Sequence, residues 1–98
     1  MTDLPDVVSS ISLDPVLDLR AAAPLRDALL ERRGGPVIVD ATRVEQLGGL
    51  CLQVLLSARN AWENDGAAFS IAARSSAFEA ALTAFGASGA FGAAQLAE

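Results

Sequence analysis

A chain of 98 residues, 52% hydrophobic and 19% charged, is long enough for one hydrophobic core, too short for two domains and too apolar for a disordered segment. Seven arginines against twelve acidic residues leave a net charge of −5 at pH 7, and apart from Arg32-Arg33 the arginines are scattered, so binding to a phosphate backbone is disfavoured. The single cysteine, Cys51, excludes an intrachain disulfide or a cysteine zinc site, and the lack of histidine removes the commonest metal ligand and general base.

The lead Met1-Thr2-Asp3-Leu4-Pro5-Asp6 has neither the basic start nor the apolar run of a signal peptide, and no apolar run approaches the ~18 residues of a membrane span. The expectation is one cytoplasmic domain over residues 1–98, with a flexible lead at 1–6 and a short tail at 87–98. Val7 to Leu13 alternates loosely and stops at Asp14-Pro15, which predicts a short edge strand closed by a turn. Leu25, Ala28, Leu29 and Arg32 then recur at helical spacing and Gly34-Gly35 supplies a stop, predicting a helix over about Ala21 to Arg33. Pro24 is tolerated in a first turn, where its missing N–H has no intrahelical partner, and so argues for a late helix start.

Pro36-Val37-Ile38-Val39-Asp40 is a β-branched run that predicts the central strand, buried on both faces. Between Leu47 and Gly66, the positions Leu47, Leu50, Cys51, Val54, Leu55, Ala58 and Trp62 keep the three-and-four spacing of an amphipathic helix. It is the strongest periodic signal in the chain, and Asn64-Asp65-Gly66 ends it with residues that tolerate a left-handed turn. Ala67 to Ala72 predicts a further strand. Ser75 or Ser76 can cap a last helix whose face is Phe78, Ala81, Leu82 and Phe85, with Gly86 as its exit. The alternation of strand and helix predicts an α/β fold: about four mostly parallel strands, one of them an edge strand, covered by three or four helices.

From Val37 to Gly66 the chain resembles the STAS (sulfate transporter and anti-sigma factor antagonist) family. That family pairs an apolar strand ending in Asp with a short loop holding one apolar anchor, a helix opening on an Asp-Ser-Ser-Gly-Leu-like start, and a Gly before the next strand. Here Val37-Ile38-Val39-Asp40 resembles the strand, Val44 the anchor, Leu52 and Val54-Leu55-Leu56 the helix body, and Gly66 the closing glycine. Leu17-Asp18 before Leu25-Arg26-Asp27-Ala28-Leu29, and Phe78 to Gly86, resemble the flanking family elements. In this register the family's phosphorylatable Ser falls on Gly49 and its preceding Asp on Gly48, with Leu50 and Cys51 in the next two places. The resemblance therefore implies a STAS-like domain without the Ser phosphorylation switch, since glycine has no hydroxyl to accept a phosphoryl group. The stretch Leu47-Gly48-Gly49-Leu50-Cys51-Leu52-Gln53 is also similar to small STAS proteins associated with bacterial chemotaxis histidine kinases.

No nucleophile–base pair, ligand cluster or phosphate-cradling loop with a lysine is present, so the expectation is a non-enzymatic chain with no cofactor and no metal. Asp40 ends the central strand, where α/β folds bind ligands, but an Asp there also accepts backbone N–H bonds in the following loop. Asp18 is read the same way, as a support at the start of the first helix. Gly48-Gly49 offers either an anion approach to a helix start or a plain cap or tight turn, and Cys51 is expected to pack in the core. Leu52 and Leu56, one turn apart, are not needed to complete the sheet-facing stripe. With Gly48, Gly49 and Gln53 they are expected to form an apolar partner-binding patch, unless the last strand, the tail or a second copy covers them. Burying two leucines contributes about 3–6 kcal/mol before association costs.

The expected function is a regulatory binding module that docks on a bacterial signalling kinase or anti-sigma-type protein, with no nucleic acid, no membrane insertion and room for a homodimer. The alternative is a structural STAS subunit of a phospholipid-transport ABC complex.

Overall fold

The computed structural model describes residues 8–92. The elements run β1 (Ser9–Ser12), β2 (Val16–Leu17), α1 (Leu19–Leu30), β3 (Val37–Ala41), β4 (Gln46–Leu47), α2 (Gly49–Asp65), β5 (Phe69–Arg74) and α3 (Ser76–Ala84). The main sheet has the order β1-β3-β5 with both pairings parallel, so β3 is central and β1 an edge, as the β-branched run and the loose alternation predict. The lead at 1–6, Val7 at the head of the expected first strand, and residues 93–98 of the tail lie outside the described residues.

The α/β architecture with parallel strands and three helices stands, but the sheet is smaller than four strands. Val16–Leu17 and Gln46–Leu47 form a separate parallel ladder of two residues each. Such short strands carry no periodicity by which a sequence could announce them. The central strand is not buried on both faces either. Val37, Val39 and Ala41 point into the core at 1%, 0% and 0% exposure, while Ile38 between them is 49% exposed. Helices cover one face only, so β3 shows the simple alternation of a one-sided sheet.

Helix α1 starts at Leu19, two residues earlier than the spacing of its leucines predicts, and Pro24 lies inside it. Asp18 decides the start: its carboxylate accepts the Arg20 amide at 3.1 Å, fixing the first turn directly after β2. Pro24 then deletes one second-turn hydrogen bond on the exposed side of the helix. Helix α2 closes as expected, with Gly66 at φ 73° in the left-handed region. Its start is Gly49, because Leu47 belongs to β4. The core gathers Leu13, Leu17, Leu29, Val39, Leu55, Trp62, Ile71, Phe78 and Leu82 between sheet and helices. Trp62 keeps its indole N–H satisfied there by donating to the Gly35 carbonyl at 2.8 Å.

Past α3, residues 87–92 are tied down. The Arg74 side chain is 1% exposed; its guanidinium pairs with Glu79 at 3.1 Å and donates to the carbonyls of Ile71, Phe91 and Gly92. Arg59 of α2 donates to the Ala90 carbonyl, and the Phe91 ring lies 6.3 Å from that of Phe69.

Candidate docking interface

The β2–β4 ladder sets two helix starts side by side, since β2 runs straight into α1 and β4 into α2. The Gly48 amide donates to Leu17 O at 2.9 Å, and the Cys51 thiol donates to Asp18 O at 3.4 Å. A Cβ on Gly48 would stand 3.2 Å from Leu17 O, tighter than side chains normally tolerate. Close approach of two backbones therefore favours glycine at 48, which stands as the extended N-cap residue of α2, φ −86° and ψ 165°, the plain-cap reading of this residue. A Cβ on Gly49 would meet the Phe85 ring of α3 at 3.6 Å, an ordinary contact, so at 49 glycine is not sterically required.

These contacts assign the sides of α2. Cys51, Leu55, Ala58 and Trp62 face the sheet. Gly49, Leu52 and Leu56 follow one another at three and four residues on the flank toward α3, and Leu50, Gln53, Val54, Ser57 and Ala61 form the flank toward α1. This corrects the expected patch. Leu52 is 4% exposed and belongs to the core, and Leu56 is half-buried against it. Leu50, which the periodicity assigns to the sheet-facing stripe, is 49% exposed instead. Periodicity finds the centre of a buried arc but not which shoulder the rest of the chain covers; here the Leu52 shoulder is the covered one.

The exposed tip thus comprises Gly49, Leu50 and Gln53, with Gly48 half-buried behind them and Leu19, at 75% exposure, heading α1 alongside. Leu50 and Leu19 were the residues that spacing alone missed. A signal for Leu19 was present in Asp18, a good capping residue that puts Leu19 in an unburied first turn. Between Gly48 and Leu56 there is no hydroxyl side chain.

Asp18 and Asp40 both act on backbone. Asp40 Oδ1 accepts the Thr42 amide at 2.9 Å and the Thr42 hydroxyl at 2.6 Å, closing the loop after β3. The Thr42 hydroxyl, its amide and the nearby Arg43 charge together hold the Asp40 carboxyl below the usual carboxylate range. Burial, and secondarily the Asp18 charge, pushes the Cys51 thiol up, the opposite of what a reactive thiolate needs. Among the described residues no group of three or more His, Cys, Asp or Glu is placed to hold a metal, and no helix is long and apolar enough to cross a membrane. What the tip offers is a smooth, uncharged, partly apolar contact surface with unpaired first-turn amides.

The family model described as Mlab, STAS domain matches residues 1–96 of this chain. Neither a curated protein nor a solved structure matches it.

Proposed function

The chain belongs to the STAS domain family, and on that footing we propose that it is a non-enzymatic, cytoplasmic regulatory module that docks on a bacterial signalling protein, a kinase of the anti-sigma or chemotaxis type. The observation that carries this is the tip of α2: glycine-led, free of charge and hydroxyl, with Leu50 held half out of the core. STAS domains in general are interaction modules, and the two strand-end carboxylates, Asp18 and Asp40, are taken up by the backbone of the segments that follow them. Regulation would act by occupancy. The tip binds and alters the partner's activity, and the phosphorylation step that the family places at position 49 has no acceptor.

The same hydroxyl-free tip favours a second reading, a permanent structural subunit of a phospholipid-transport ABC complex, where no release switch is needed.

The test is affinity capture from the native cell with the wild-type chain and with Leu50→Asp. The variant is expected to lose the partner while its circular dichroism stays unchanged, because Leu50 is half exposed. Leu52→Asp is unsuitable, since it would put a charge in the core. A captured kinase supports the first reading and a captured ATPase the second; full capture by Leu50→Asp would remove the tip as the docking site.

A further inference from the structure

A groove of about 350 Å³ runs between α1 and α2. One wall is Arg26, Leu29 and Leu30 of α1 with Arg33 from the tightened turn that follows; the other is Gln53, Val54, Ser57 and Ala61. Leu50 stands three, four, seven and eleven residues before these last four, so a single flank of α2 leads from the exposed tip into the groove. Tip and groove form one continuous surface, apolar along its floor.

Its lining differs in charge from the molecule as a whole, although Asp65 and Asp27 stand beside its arginines. The chain carries −5, yet the groove is lined by two arginines and no carboxylate. Arg26 lies in α1 and Arg33 in the tightened turn past its end, seven residues on, with Leu29 and Leu30 between them. Arg33 is held in place by Asp65, which accepts from Nε and Nη2 at 2.7 Å, and by the Trp62 ring, 5.6 Å from its guanidinium carbon. That uses only part of a five-donor fork. Arg26, 66% exposed, makes only a 3.6 Å contact to the exposed Asp27, a pair of little strength.

We propose that this groove is the second half of the docking surface and takes an acidic amphipathic helix of the partner. Its apolar edge lies on Leu30, Val54 and Ala61, and two carboxylates seven residues apart meet Arg26 and Arg33. The proposal rests on the docking reading above and deepens it by stating the partner's chemistry. An acidic helix is repelled by most of this surface and accepted where the two arginines face it, so the pair fixes register as well as place.

Trp62, 1% exposed beneath the groove, is the only tryptophan in a chain without tyrosine, so its emission gives one readout of occupancy, and titration calorimetry, which does not depend on its exposure, gives the other. The probe is a helix-forming peptide of about 18 residues, free of Trp and Tyr, with leucines along one edge and two glutamates seven residues apart. It is expected to shift Trp62 emission saturably, to weaken with added salt, and to lose about tenfold or more in affinity to Arg26→Glu. A peptide with lysines in place of the glutamates is expected to fail on the wild type and to bind Arg26→Glu. Equal binding of both peptides, or no saturation by the glutamate peptide up to about a millimolar, overturns the proposal. Saturation by laurate without response to the peptide also overturns it, in favour of a small-molecule pocket. If Leu50→Asp loses the cellular partner and Arg26→Glu keeps it at wild-type affinity, the groove inference falls while the docking reading stands; if both keep it, the docking reading falls.

Discussion

Helices α1 and α3 each begin on a side chain that accepts a first-turn amide: Asp18 from Arg20 N at 3.1 Å, and Ser75 from Phe78 N at 3.0 Å. Helix α2 begins on Gly48, which has no side chain to offer, although it is the longest of the three at 17 residues. The two capped starts are stabilised locally, by a hydrogen bond that needs no neighbour. The uncapped start is held from the side, by Leu52 and Cys51 in the core and by the backbone contact of Gly48 with Leu17. A helix fixed in that way leaves its first amides and its outward residues available to another molecule.

The most severe way to break this contrast is to remove the packing. Leu52→Ala is expected to destabilise the domain by about 2–5 kcal/mol, whereas Leu50→Ala, two residues earlier, should stay within about 0.5 kcal/mol. Chemical denaturation of the two variants measures the difference; equal losses would mean that Leu50 is a core residue. Removing the caps comes next. Ser75→Ala should cost about 1–2 kcal/mol, because the same hydroxyl also donates to Val44 O at 2.6 Å, and Asp18→Ala about 1 kcal/mol. A larger loss at Asp18 than at Ser75 would contradict that ranking.

The two glycines sharpen the comparison further. Gly49→Ser has room beside Phe85 and removes a flexible residue from a helix, so a gain of about 0.5 kcal/mol is expected in thermal denaturation. Gly48→Ser, though it supplies a capping hydroxyl, should lower stability, because its Cβ crowds Leu17 O at 3.2 Å. The smallest effect belongs to Asp40. Its folded carboxyl titrates below the unfolded one, so its stabilising contribution is complete above the unfolded value, about 3.9, and is lost as pH falls through the folded value. Thr42→Ala should move the Asp40 midpoint upward, which NMR titration of the carboxyl carbon would detect, and should make acid destabilisation slightly shallower.

Much of this architecture was legible in the residues. Val37 to Asp40 announced a central strand, and the spacing from Cys51 to Trp62 with Gly66 beyond it announced α2. Ser75 stood where a cap was needed. The features that escaped share one cause: they depend on neighbours far along the chain. Whether Ile38 is covered depends on a layer that one strand cannot report. Whether Leu50 or Leu52 is outermost depends on which shoulder of α2 distant segments cover, and the preference for glycine at 48 comes from a carbonyl 31 residues away at Leu17. Pro24 misled for a simpler reason, because a cap at Asp18 outweighed one lost hydrogen bond. The docking patch was therefore legible in location, at the start of α2, and not in composition.

The arginines that grip the chain after α3 determine where this unit can be cut. Arg74 is sequestered, and the carbonyls of Phe91 and Gly92 supply two of its acceptors. A fragment stopping at Gly86 would retain every helix and strand among the described residues yet leave that guanidinium without them. Expression boundaries and fusion joints belong beyond Gly92, and residues 87–92, without helix or strand, count as part of the folding unit.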